Sequence, residues 1–206
     1  MENPVGDKAV SVFLISQRLS LTLEPLDLKH LTDFKESPFG NDYPHWMNDA
    51  IINQYTSHAV YPLSSAQCEE YIRTCQSERR MVLAIIQSYS IDGSPGSYWR
   101  HIGNIALQQI NHINRSAELA LIIGKAGCQK KGYGLEAARL LCAHAFKQLG
   151  LNRIYCGTHQ HNLGMQKLAV KLGMREEGRS RQAIFKNGEF ADIIHYGMLR
   201  GEFIAS

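Results

Sequence analysis

The 206 residues read as an α+β chain: a mixed, mostly antiparallel central sheet flanked by helices, with one parallel strand-helix-strand crossover. Three observations predict this. Ala117 to Leu149 runs as apolar strand, glycine-rich loop and amphipathic helix, and a second strand follows at Arg153; strands joined through a helix lie parallel. The short apolar runs on either side of this unit are separated by turn residues, which suits antiparallel neighbours. Apolar residues make up 44% of the chain, an ordinary share for a domain that buries a core.

Residues 1–9 read as a flexible tail and 10–206 as a single domain. Val10 to Ile15 and Leu19 to Leu23 are two short apolar runs around Ser16-Gln17-Arg18. They form a hairpin, or only the second is a core strand; Leu19, Leu21 and Leu23 alternate with Ser20, Thr22 and Glu24. Pro25 stops the alternation, and Asp27 offers an N-cap for a short helix through Leu28 and Leu31 to Phe34. Residues 37–62 hold three prolines and five aromatics, with a short helical piece starting near Asn48. Ser64 or Ser65 caps a clearer helix from Ala66 to about Glu78. Met81 to Gln87 is a fully buried type of strand, and Ser88 to Arg100 a loop marked by Gly93, Pro95 and Gly96. A strand at His101 to Gln108 and a turn at Asn111 to Arg115 lead to the strand Leu119 to Ile123.

The helix from about Gly134 to Leu149 carries Leu135, Ala138, Leu141, Cys142, Ala145 and Leu149 on one face, and Gly150 sits where a C′ glycine belongs. Arg153 to Gly157 is the next strand. Asn162 opens a helix to Leu172 that Gly173 closes, and Met174 to Gly178 and Asp192 to Leu199 are last strands around a turn at Asn187-Gly188.

A net charge of +3, with no block of like charges, suits a small anionic ligand better than a nucleic-acid backbone. No stretch is apolar and long enough for a signal peptide or a span. Cys68, Cys75, Cys128, Cys142 and Cys156 are odd in number and contain no CxxC, so neither a disulfide framework nor a zinc site is expected, and the cytoplasm is the expected compartment. His159 and His161 form an H-x-H pair without a third ligand, so no metal is expected.

The loop Gly124 to Gly134 holds four glycines and three lysines and feeds a helix N-terminus. Unpaired N–H groups and the helix dipole at such a place favour phosphate. The P-loop is excluded because no GK pair precedes Ser or Thr at the right spacing, and the dinucleotide fingerprint because Ala137 stands where its third glycine belongs. Gln129-Lys130-Lys131-Gly132-Tyr133-Gly134 instead fits Q-x-x-G-x-G.

On that signature the chain resembles the GNAT superfamily of acetyl-CoA N-acetyltransferases. The likeness extends over about residues 12–203. The stretches FLISQRLSLTLEPLD, WMNDAIINQYTS, KLGM and GEFADIIHYGMLRGEF resemble the branch of ribosomal-protein N-terminal acetyltransferases, and WMND resembles members that acetylate amino groups of nucleotide-linked sugars. The resemblance implies that the strands Leu119–Ile123 and Arg153–Gly157 start paired and then splay, with a bulge near the end of the first. It implies that pantetheine pairs with Leu121, Ile122 and Ile123, and that the amides of Gln129 to Gly134 wrap the pyrophosphate with help from Lys130 and Lys131. Asn162 matches the family asparagine on the pantetheine side.

Acetylation of an amine needs a proton acceptor, a donor for the thioester oxygen and stabilisation of the leaving thiolate. Glu118 is the candidate base. The family's acid, a tyrosine in the last helix, falls on Ala169, and Met165 replaces the usual small hydroxyl residue; either backbone amides near Ile122 and water take that role, or Tyr196 from the last strand is the candidate acid. Trp46, Tyr55 and His159 are the candidate acceptor contacts, with Tyr61 beside them. The expected reaction moves acetyl from acetyl-CoA to a primary amine of a small molecule such as a nucleotide-linked amino sugar. A protein N-terminal acetyltransferase and a non-catalytic CoA-binding module are the alternatives. The expected partners are acetyl-CoA and the amine acceptor, with no nucleic acid, no membrane and no metal, in a monomer or homodimer.

Overall fold

The computed structural model describes residues 14–32, 43–56, 60–89 and 98–204. The expected tail, the first residues of the Val10 run, Phe34, the start of the aromatic stretch and most of the Ser88–Arg100 loop lie outside them. In chain order the elements are β1 (Leu14–Ser16), β2 (Leu21–Pro25), α1 (Lys29–Thr32), α2 (Tyr43–Asn48), α3 (Ser65–Thr74), β3 (Met81–Tyr89), β4 (Tyr98–Asn111), β5 (Ser116–Ile123), α4 (Tyr133–Lys147), β6 (Arg153–His159), α5 (Leu163–Leu172), β7 (Arg175–Lys186), β8 (Glu189–Leu199) and a closing 3₁₀ turn (Arg200–Glu202). The strands form one sheet in the order β1-β2-β3-β4-β5-β6-β8-β7. Among the described residues only β5 and β6 pair in parallel, as the strand-helix-strand pattern predicts.

Alternation along the strands feeds two cores, one on each face. Leu83, Ile85, Ile105, Leu107, Ala117, Leu119, Ile154 and Tyr196 pack with Ala138, Leu141 and Ala145 of α4 and Leu172 of α5. On the other face Val82, Ala84, Ile86 and Ala106 pack with Tyr43 and Trp46 of α2 and Cys68 and Ile72 of α3. Covering β3 and β4 on both faces explains why they read as near-continuous apolar runs.

Several boundaries move for identifiable reasons. The first two runs do pair, Leu14 opposite Leu23, so the hairpin alternative holds. The short helix in the aromatic stretch ends at Asn48 instead of starting there. Pro44 sits in its first turn, where a missing N–H costs nothing, and Asn48 fastens the end, donating from Nδ2 to the Leu63 carbonyl (2.8 Å) and accepting from the Leu63 N–H (2.8 Å). Ser64 caps α3 in a capping box with Gln67, and the helix stops at Thr74, short of Glu78. β7 runs on past Gly178 to Lys186. As the sheet's outer strand it is exposed along most of its length, so its sequence carries no apolar alternation. Asn187 and Gly188 both take positive φ (54° and 85°), the pairing that a tight hairpin turn requires.

Beneath α1 and α2 lies a buried polar cluster that the sequence pattern did not reveal. His30 Nε2 meets Glu24 Oε1 at 2.7 Å, and Lys29 Nζ reaches the same oxygen at 2.8 Å. His101 Nε2 meets Asn104 Oδ1 at 2.8 Å, and its ring lies 5.2 Å from His30 and 4.9 Å from Trp46. Burial, with the neighbouring His30 adding to it, pushes the His101 imidazole from 6.5 down to about 4.

The sign of the linkage follows. The unfolded chain protonates His101 near 6.5 and the folded chain resists, so its contribution is complete above that pH and is lost as pH falls towards 4. Between pH 7 and 5 the native protein should lose about 2 kcal/mol on this account. Urea midpoints across that range should fall more steeply for the native chain than for His101→Gln; equal slopes would show that His101 does not carry the effect.

Candidate active site

The site is built where two neighbouring strands stop pairing. β5 and β6 are in register at Ser116 with Arg153, Ala117 with Ile154 and Glu118 with Tyr155. Beyond that pair β5 continues to Ile123 and β6 to His159 with no ladder between them, while β5 keeps its register with β4 through Ile123 opposite Gly103. The peptide groups of Leu119, Leu121 and Ile123 therefore turn towards the gap, while those of Ile122 face β4. The bulge expected near the end of β5 is present directly after Ile123, where the Gly124 and Lys125 N–H groups both donate to the Ile102 carbonyl (3.0 and 3.1 Å). A second irregularity lies in β4, between Gln108 and Asn111, opposite the beginning of β5, where Gln109 takes φ 49°. It strengthens the local twist at the point where the strands begin to diverge.

The loop after β5 closes one end of this gap. Gly127 (φ 74°), Lys130 (φ 62°) and Gly132 (φ 90°) take left-handed conformations within six residues, which turns successive N–H groups to one side and forms an anion-binding concavity. Gly132 is the N-cap of α4 and supplies no side-chain cap. Among the described residues, no N–H from Gln129 to Leu135 has a hydrogen-bond acceptor. These orphan donors, together with the positive end of a 15-residue helix, fit a pyrophosphate.

The side chains of the loop are mostly structural. Gln129 Nε2 donates to the Ile123 carbonyl at 3.1 Å, tying the loop to the strand end. The Tyr133 hydroxyl accepts from Gln87 Nε2 at 2.6 Å. Gly134 is buried, and a Cβ there would lie 3.3 Å from both Leu121 and Leu168; the missing atom lets α4 begin close against β5 without displacing those side chains. Lys130 and Lys131 are exposed. Asn162 caps α5, its Oδ1 accepting from the Met165 N–H at 3.1 Å, which leaves its amide nitrogen to donate to a ligand.

Residues 20–175 match the acetyltransferase (GNAT) domain family. The chain belongs to that family. It is 30% identical over 189 residues to the spermidine N(1)-acetyltransferase of Escherichia coli K12, a match covering 90% of this chain and 89% of that enzyme. It is 32% identical over 101 residues to the ribosomal N-acetyltransferase-like YdaF of Bacillus subtilis 168, covering 49% of this chain and 55% of YdaF. The solved structure of the ribosomal-protein acetyltransferase RimL with coenzyme A superposes with a TM-score of 0.74 at 16% identity, covering 94% of this chain and 99% of RimL. The GNAT co-substrate is acetyl-CoA, and the gap and loop of this acetyltransferase are the residues suited to hold it.

The sheet face turned away from α4 and α5 carries the remaining candidate residues of this GNAT chain. Glu118 points there, half-buried, with Oε2 accepting from Gln109 Nε2 at 2.9 Å. Tyr155, paired with it across the sheet, shares the face, and burial together with the charge of Glu118 raises its hydroxyl pKa. Further along β6 comes His159, whose ring lies 5.3 Å from Tyr55 and 5.5 Å from His161. Burial, with His161 beside it, lowers the His159 pKa. Among the described residues no group of three or more His, Cys, Asp or Glu side chains is placed to hold a metal.

Two expected site residues stand elsewhere. Trp46 is buried in the second core, against Gly124, Tyr43 and His101, so it braces the end of β5 and offers no open wall. Tyr196 shares the α4 and α5 face with its register partner Cys156; Glu118 lies on the opposite face. Burial, then Glu176 and Cys156, raise the Tyr196 pKa. The structure brings Glu118, Tyr155, Tyr55 and His159 to one face and leaves Tyr196 off it. Tyr61 is 81% exposed. Beside Tyr155 and His159, β8 presents Ile193 and His195; His195 is absent from the candidates that the sequence suggests. Strict alternation along Ile193, Ile194, His195, Tyr196 and Gly197 would have found it.

Backbone binding at the loop sets the order of two mutational effects. An Ala at Gly132 must hold φ near 90°, a strain of about 1–3 kcal/mol, and should weaken coenzyme A binding by calorimetry about tenfold. Replacing Lys130 and Lys131 together by Ala removes only exposed charge and should weaken it about threefold. A larger loss in the lysine variant would show that side-chain charge, and not the amide cradle, holds the phosphate.

Proposed function

We propose that this GNAT N-acetyltransferase moves the acetyl group of acetyl-CoA to the primary amine of a small-molecule acceptor, an amino sugar linked to a nucleotide. Acetyl-CoA, when bound, supplies the activated acyl thioester. The chain's own residues do the rest. The amides of Gln129 to Leu135 hold the pyrophosphate, the free edge of β5 aligns the reactive arm, and Glu118 takes a proton from the amine at the mouth of the gap. Fixing amine and thioester side by side is itself a large part of the acceleration.

The charge of the acceptor face carries the choice of acceptor. Around the start of the gap that face carries two carboxylates, Glu118 of β5 and Glu177 of β7, and the second is already bound by Arg153; the titratable neighbours on β6 and β8 are Tyr155, His159 and His195. A polycation such as the substrate named for the Escherichia coli relative would call for several carboxylates. Imidazoles and the Tyr55 ring suit an anionic ligand with a stacking base or sugar. The five cysteines, all free and buried, support the cytoplasm as the compartment. Among the described residues no helix is long and apolar enough to cross a membrane.

The test is turnover of acetyl-CoA against uridine-diphosphate amino sugars, spermidine and a ribosomal-protein N-terminal peptide. The amino sugar should give kcat/KM at least about tenfold above the others. Glu118→Gln should lower kcat about 100-fold with coenzyme A affinity kept. A preference for spermidine overturns the acceptor assignment, and a preference for the peptide supports the ribosomal-type reading to which the YdaF likeness points.

A further inference from the structure

A histidine-serine pair lies beside the gap, on the Glu118 face, in a place the family signature does not mark. His195 of β8 sits opposite Gly157 of β6 and opposite Gly178 of β7. Its Nε2 meets the Ser180 Oγ of β7 at 2.7 Å. The other edge of the ring leans over Gly157: a Cβ built there would lie 3.7 Å from His195 Nδ1 and 3.8 Å from its Cε1. Gly157 comes two residues after Tyr155, the last β6 residue paired to β5, so this is where the gap has begun to open. His195 and Ser180 are half-buried, while Gly157 is exposed. The ring is thus held from behind by a hydroxyl and turned with its free nitrogen towards the space where the strands part.

We propose that His195 is a second proton acceptor for the amine, working across the gap from Glu118, and that Ser180 is its positioning residue. The inference rests on the acetyltransferase reading but not on which amine is the acceptor. Ser180 Oγ accepts the Nε2–H and so keeps the Nδ1 lone pair free. The protonated amine gives one proton to Nδ1, which passes it to solvent. The freed nitrogen pair forms the C–N bond as the C–S bond breaks, the electron pair leaving on sulfur. Glu118 takes the nitrogen's second proton and passes it through water to that sulfur, so one amide, one thiol and one proton are produced. An imidazole is suited to this task near neutral pH. The charged and titratable groups around the ring are Glu177 from β7, Tyr155, His159 and Arg153 from β6, and Glu118 from β5. Glu177 is held by Arg153, which binds both of its oxygens. Glu177 is therefore not free to trap a proton on His195, which passes on to solvent.

The experiment uses the full chain with acetyl-CoA and whichever amine of the three-acceptor screen turns over fastest. His195→Gln should lower kcat about 100-fold, leave coenzyme A affinity within twofold, and remove the acid limb of the kcat/KM profile that the native chain shows. Ser180→Ala should lower kcat several-fold, with KM unchanged, and move nitrogen-NMR signals of His195 away from the Nε2–H tautomer; Ser180→Thr should restore both. His195→Asn serves as the second variant should the glutamine disturb folding, and retained coenzyme A affinity reports that each is folded. Native kcat and an unchanged pH profile in both His195 variants would overturn the proposal. An acceptor other than the amino sugar would sink only the acceptor assignment, since the His195 effects are expected with any amine.

Discussion

The ladder between β5 and β6 ends after Glu118 and Tyr155, and the rest of the site depends on that ending. Both strands continue, so peptide groups that a closed sheet would pair are left facing one another across a gap. An unpaired peptide group costs free energy wherever water cannot reach it. A strand edge kept open within a sheet is stable when solvent or an extended ligand completes it, and pantetheine is such a ligand. The same strands bring the phosphate loop to one end of the gap and Glu118 to the other. The proposed donor and acceptor sites are therefore two ends of one interruption in hydrogen bonding.

Alternation then decides which side chains can act. Ala117, Leu119 and Leu121 turn towards α4, while Glu118, Ala120 and Ile122 turn away. Along β8 the same rule sends Ile194, Tyr196 and Met198 into the core and His195 and Gly197 to the acceptor face. A shift of a single residue separates a buried phenol from an imidazole beside the gap. The second core contributes from behind. Trp46 lies so close to Gly124 that a Cβ would fall 2.1 Å from its ring, which fixes the loop's departure from β5. The Glu24, His30 and His101 cluster holds α1 and α2 against that same region.

Much of the donor side was legible in the sequence. Glycine spacing, an apolar strand and an amphipathic helix are local signals, and Gly132, Gly134 and Gly173 occupy the special backbone positions their spacing suggested. The parallel pair followed from the crossover alone. The acceptor side was less legible because it is assembled across four strands and a segment with weak periodicity. Trp46 looks the same in sequence whether it lines a cleft or fills a core; only its contacts with His101 and Gly124 distinguish them. β7 escaped notice past Gly178 because an exposed edge needs no apolar alternation. His195 and Tyr196 are adjacent in sequence, and only the two-residue period of the strand separates the one beside the gap from the one in the core.

Amide hydrogen exchange, with and without coenzyme A, tests the central claim most directly. In the free protein the amides of Gln129 to Leu135, and those of Leu119 to Ile123 that face β6, should exchange fast, while those bonded to β4 stay protected. Saturating coenzyme A should slow both open sets and leave β7 and β8 unchanged. Protection that appears elsewhere, with the β5 edge and the loop exchanging as before, would contradict the account.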